Sequence, residues 1–145
     1  MKLTTILLFA STSVAMAELP AKFIRAVHLV ESGGKHGLIL GDYDSKTKQY
    51  RSIGPLQIQR SYFVDSRIKG DWGQCTNLSF SIKVMEGYFT RYCPKALKDK
   101  NLQILAKTHN GGLNGPNNPK TKIYWLKIKK VMESSVTITN ERKNL

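Results

Sequence analysis

The sequence predicts a mainly helical (α+β) domain of about five helices with a small two-stranded β wing beside a cleft. Three observations carry that expectation. Apolar residues recur at helical spacing in several separate segments, as in Phe23, Ala26, Val27 and Val30. Only one stretch, Leu38 to Arg51, combines short extended candidates with a turn. Beyond its first residues, the 145-residue chain suits one compact domain with one core.

The first residues read as an export leader. Lys2 gives a positive start, Ile6 to Ala10 an apolar run, and Ala15-Met16-Ala17 a small-x-small cleavage site. The run is too short to span a bilayer permanently. The expected division is a leader at 1–17, a folded domain at 18–133 and a flexible tail at 134–145. The expected location is outside the cytoplasm, secreted or periplasmic, with no stable membrane insertion. The formal charge is +13, of which Lys2 contributes one, so the processed chain carries +12. Such a balance favours anionic partners, among them wall polymers, nucleic acid and acidic membranes.

The folded part begins at Pro20, which suits a helix's first turn. The helix behind it buries Phe23, Ala26, Val27 and Val30, presents Glu31 on the flank of that face, and ends at Gly33-Gly34. Leu38-Ile39-Leu40 and Gln49-Tyr50-Arg51 are the two strand candidates, with Asp44 to Lys48 as the turn. Pro55 makes Ser52 to Ile58 a loop leading to a helix over about Gln59–Ile68, with Tyr62 and Phe63 inward. Gly70 to Gly73 breaks the pattern. Ser79 to Tyr92 is the central buried helix, with Ile82, Met85, Tyr88 and Phe89 as its stripe. A helix from Leu102 runs into His109-Asn110-Gly111-Gly112. The last helix turns Ile123, Leu126, Val131 and one of Tyr124 and Trp125 inward and leaves Lys120, Lys122, Lys127, Lys129 and Lys130 outside.

A straight helix over Ser79–Tyr92 holds its ends about 20 Å apart, whereas disulfide-bonded residues need Cα atoms within about 7 Å. Export permits a bond between Cys75 and Cys93, so both states stay open. His28, His36 and His109 lack ligand spacing and the cysteines are isolated, so no metal or other cofactor is expected.

Cutting a glycosidic bond needs an acid that still carries its proton, and burial against apolar groups favours the protonated form. Glu31 is the candidate, against the alternative of a surface acid paired with lysine. A second carboxylate attacks the sugar or positions water. Asp42 and Asp44 compete for that part. Turn chemistry accounts for Asp44, and Asp42 follows Gly41, whose bare backbone leaves room for a sugar.

In combination, Val30-Glu31-Ser32-Gly33, Ile53-Gly54-Pro55-Leu56-Gln57-Ile58, Tyr62-Phe63-Val64-Asp65, Tyr88 to Tyr92, His109 to Gly115 and Tyr124-Trp125 resemble, in order, the invertebrate-type lysozymes. They also resemble the lysozyme-like transglycosylase domains of bacteria and viruses, and two cysteines suit that branch better than the cysteine-rich invertebrate one. The resemblance implies a lysozyme-like fold and a muramidase that cuts peptidoglycan between N-acetylmuramic acid and N-acetylglucosamine. By position it implies Glu31 and Asp42 as catalytic residues, and Ser52, Gln57, Tyr62, His109, Asn110 and Gly111 as substrate-binding ones. A monomer is expected, with peptidoglycan rather than nucleic acid as its partner. The alternatives are a lytic transglycosylase that uses Glu31 alone, and a non-catalytic cationic binder on the same scaffold.

Overall fold

The computed structural model describes residues 18–143, with side chains described to residue 134. The leader at 1–17 therefore lies outside the described residues.

Helix α1 spans Ala21–Ser32. Pro20 sits just before it as the N-cap, and its carbonyl accepts from the N–H groups of Phe23 and Ile24. Gly33, with φ of 66°, closes it in the left-handed conformation that glycine adopts without strain. A three-stranded antiparallel sheet follows, in the order β1 (Leu40–Asp44), β2 (Gln49–Ile53), β3 (Ile58–Gln59). The wing thus has one strand more than expected. The first strand begins at the last residue of the Leu38-Ile39-Leu40 run and carries the polar Gly41 to Asp44 instead. Leu38 and Leu40 are exposed, so no core draws that apolar run into the sheet, and strand position follows context more than propensity.

Helix α2 is Arg60–Ser66, shorter than the expected 59–68. A 3-10 turn at Trp72–Thr76 leads into α3, Leu78–Tyr92. Pro94 does not merely follow α3. It starts a short helix, α4 (Pro94–Lys98), where its missing N–H costs nothing. Helix α5 is Leu102–Gly111, a second 3-10 turn covers Gly112–Asn117, and α6 runs Thr121–Lys143. The total is six α-helices among the described residues, against about five expected. The boundary expected after residue 133 is not a helix end, because α6 continues ten residues beyond it.

The core centres on α3. Val84, Met85 and Phe89 are fully buried together with Phe23, Ala26 and Val27 of α1, Leu105 and Ala106 of α5, and Ile128 of α6. Each large side chain so buried contributes roughly 1.5–3 kcal/mol as an upper estimate. Of the α6 residues expected inward, Tyr124 is buried and Val131 half-buried against the core, whereas Ile123 and Leu126 face out. Thr121, Tyr124, Ile128 and Met132 are buried, whereas Ile123 is 66% and Leu126 50% exposed. Two apolar stripes overlap in this helix, and packing of α6 on α1 and α5 selects one of them. Cys75 and Cys93 are both free. Burial pushes the Cys75 thiol up to about 12.

Candidate active site

The packing of α1 and α5 on α6 brings three distant side chains together. Tyr124 donates its hydroxyl to Glu31 Oε1 at 2.6 Å. His109 Nε2 lies 3.5 Å from the same oxygen, with the Glu31 side chain 17% and the His109 side chain 4% exposed. His109 Nδ1 lies 3.2 Å from the Tyr62 hydroxyl. Tyr62 stacks on Tyr88 with ring centroids 3.7 Å apart. Burial pushes the Tyr62 phenol well above its ordinary value, so it keeps its proton. In the tautomer with its proton on Nε2, His109 accepts from the Tyr62 O–H at Nδ1 and turns Nε2–H toward Glu31 Oε1 at contact distance rather than in a hydrogen bond. Burial and the neighbouring Glu31 likewise hold the Tyr124 phenol protonated. Both partners converge on Oε1. Among the described residues Oε2 has no protein partner. Glu31 is therefore held by polar groups from other helices, rather than by the apolar neighbours on its own helix that the sequence suggested.

The helix end itself is tied to the sheet. Ser32 donates to the carbonyls of Pro55 at 2.9 Å and His28 at 3.1 Å, while His28 Nε2 meets the Lys35 carbonyl at 2.7 Å. These bonds fix the end of α1 against the segment that carries Gln57.

Across a cleft of about 230 Å3 stand Asp42, Gln57 and Gln59, with Tyr62, His109 and Asn110 completing its walls around Glu31. Asp42 sits in β1 with φ of 53° and Gln57 with φ of 50°. A left-handed non-glycine residue is strained, and such residues persist where the surroundings over-determine them, often at functional sites. That backbone also removes the simple alternation that would point Asp42 and Asp44 to one face. Gln59 Nε2 donates to Asp42 Oδ2 at 3.2 Å.

Asp44 is engaged elsewhere. It accepts from the Lys46 N–H at 2.9 Å and pairs with Arg51 at 2.6 Å. The turn N–H of Lys46 and the Arg51 guanidinium hold its carboxyl below the usual range.

Six of the eight residues singled out from the sequence, Glu31, Asp42, Gln57, Tyr62, His109 and Asn110, thus line one cleft. Ser52 does not line it. It is fully buried and donates to Gln57 Oε1 at 2.9 Å, while the Gln57 amide N–H groups go to the carbonyls of Gly54 and Ile39. Ser52 positions Gln57. Gly111 is also outside the lining, since a Cβ there would meet the Thr121 methyl at 2.6 Å. Its bareness serves the α5–α6 contact. At Gly41 the room expected for a sugar is filled, because a Cβ would strike Gln57 Oε1 and come within 2.8 Å of Ser52 Oγ. Two site residues carry no such sequence signal: Gln59, directly after Ile58, and Tyr124, 93 residues from its partner.

No family model matches the chain. An invertebrate-type lysozyme of Ruditapes philippinarum is 34% identical over 82 residues, covering 55% of this chain and 60% of the relative. A lysozyme of Ostrea edulis is 31% identical over 80 residues, covering 54% and 58%. The chain thus spans about three fifths of the length of these curated relatives. The crystal structure of Tapes japonica lysozyme superposes with a TM-score of 0.60 at 29% identity, over 77% of this chain and 89% of that one. The chain is lysozyme-like. Its resemblance is to the invertebrate type, despite the two cysteines that suggested the bacterial and viral branch. A lysozyme-like fold accounts for the architecture of the cleft, with one wall from helix ends and one from a small sheet. Among the described residues, no helix of this lysozyme-like chain is long and apolar enough to cross a membrane, and no group of His, Cys, Asp and Glu side chains could hold a metal ion.

Proposed function

We propose that this chain is an exported muramidase that hydrolyses the β-1,4 bond between N-acetylmuramic acid and N-acetylglucosamine in peptidoglycan. The observation that carries the reading is the cleft itself. It sets a carboxylate clamped through one oxygen opposite a second carboxylate held on a left-handed backbone. The names of the lysozyme relatives support the same substrate class.

Glu31 acts as the acid. With Oε1 bonded to Tyr124 and His109 beside it, the proton is carried on Oε2 and passes to the glycosidic oxygen as its bond to the anomeric carbon breaks. Asp42, oriented by Gln59, stabilises or attacks the oxocarbenium-like centre left behind. Water then supplies hydroxide to that carbon and returns a proton to Glu31. The presence of Asp42 in the cleft favours this two-carboxylate route over a transglycosylase working with Glu31 alone.

Glu31→Gln is the test. It is isosteric and retains an acceptor for Tyr124, so circular dichroism should be unchanged while lysis of peptidoglycan is abolished. Retained lysis would sink the assignment. Products of the unaltered chain should carry reducing ends, since anhydromuropeptides would mean transglycosylation, and binding without turnover a wall-binding protein. Export is read the same way: we expect the secreted form to begin at Glu18 by N-terminal sequencing.

A further inference from the structure

A second pocket, of about 280 Å3, shares the Gln59 side chain with the cleft. Its other walls include Gln49, Tyr50 and Arg51 of the sheet, Arg60 of α2, and Trp72. Its charge is the reverse of the cleft's. The cleft holds two carboxylates, whereas this pocket holds two arginines and no carboxylate.

The arginines differ in their freedom. Arg51 spends one arm of its guanidinium on Asp44. Arg60 has no carboxylate within ion-pair distance among the described residues, and its guanidinium lies 5.8 Å from the centre of the Trp72 ring. That ring is fixed by its own N–H, which donates to the Ile58 carbonyl at 2.8 Å. A guanidinium held over an anchored indole at cation–π distance still has N–H groups to present, and they match a carboxylate with two parallel bonds. Tyr50, exposed and tilted against Tyr43 at 5.1 Å, offers an apolar surface beside it.

We propose that this pocket binds a carboxylate of the acidic peptide that branches from the glycan, so that the enzyme reads the substituted polymer with a cationic site next to an acidic cutting site. The proposal rests on the muramidase reading for its substrate. The peptide leaves the polymer at the muramic acid beside the bond being cut, which is where a pocket sharing a wall with the cleft would meet it.

The test uses the full-length chain, Arg60→Gln, Arg60→Lys, and two polymers: intact peptidoglycan and the same glycan stripped of its peptides by an amidase. In Arg60→Gln, KM for the intact polymer should rise ~5–10-fold, the effect expected of one lost charged contact at an open site, with kcat unchanged. Turnover of the stripped glycan should not change. Arg60→Lys should restore only part of the loss, since a point charge cannot form the two-bond pair. Free stem tetrapeptide should bind Glu31→Gln, and more weakly when Arg60→Gln is added. Equal effects on both polymers, no peptide binding, or displacement of the peptide by an equal concentration of inorganic phosphate would each overturn the peptide assignment. If the unaltered chain cuts neither polymer, the muramidase reading fails, and the peptide-binding arm decides this proposal by itself.

Discussion

The two walls of the cleft are built by opposite means. On the helical wall, Glu31 is mostly covered, and Tyr124 and His109 reach it from two other helices. On the sheet wall, Asp42 is exposed and has one partner, Gln59, within the same small sheet. The first carboxylate is fixed by tertiary packing and the second by local backbone, through left-handed residues at Asp42 and Gln57. A group that must deliver a proton along one line gains from being clamped. A group that meets developing charge on a sugar gains from standing open to it.

After Glu31 itself, the sheet wall's carboxylate should cost most when lost. Asp42→Asn should lower turnover by at least ~100-fold, about 2.7 kcal/mol, with the melting temperature nearly unchanged. Asn is the apt replacement because it tolerates the left-handed backbone, so a loss of activity reports lost charge rather than strain. Near-normal turnover would leave Glu31 acting alone.

The helical wall should respond in stability as well as rate. Tyr124→Phe removes the 2.6 Å bond to Glu31. We expect kcat to fall ~10-fold and unfolding to become easier by about 1 kcal/mol. The pH dependence separates this wall from the other. Burial raises the Tyr124 phenol well above its ordinary 10. Between the unfolded and folded values the folded state holds a proton that the unfolded state has lost. The contribution is therefore complete below about pH 10 and declines as pH rises beyond it. Urea midpoints measured from pH 8 to 11 should fall more steeply for the unaltered chain than for Tyr124→Phe. Parallel curves would mean that Tyr124 titrates as an ordinary phenol.

The same contrast explains what could be read from the sequence. Glu31 was legible because its helix stripe, Phe23, Ala26 and Val27, and its glycine stop are local patterns. Asp42 was preferred to Asp44 because Asp-led turns are local too, and the Lys46 N–H bond to Asp44 agrees. Tyr124 belonged to a recognised segment, yet its bond to Glu31 spans 93 positions and has no local signature. Nor had the phase of α6. Ile123 and Leu126 make as good a stripe as Tyr124 and Ile128 until α1 and α5 cover one of them. Gly41 reads as an opening for a sugar and Gly111 as a substrate-binding position, because a glycine looks the same whether a ligand or a neighbouring side chain takes the space. Here Gln57 and Thr121 take it.

The smallest effect is expected just outside the cleft, and it tests whether the wing's two aspartates are truly unlike. Asp44→Asn should leave turnover within about twofold of normal, because Asp44 faces the Lys46 turn and Arg51 rather than Glu31. An exposed ion pair contributes little, so the stability loss at neutral pH should be slight. Its pH dependence is the informative part. Those partners hold the Asp44 carboxyl below its ordinary 3.8. The stabilisation is then present above the unfolded value and is lost as pH falls through the folded one. The melting-temperature gap between the unaltered chain and Asp44→Asn should persist from pH 7 down to about 4, then close in stronger acid. High salt should narrow the gap where it is open, since the Arg51 contribution is screened while the turn bond is not. A large loss of turnover with an unmoved melting curve would reverse the roles of the two aspartates and transfer the second carboxylate to Asp44.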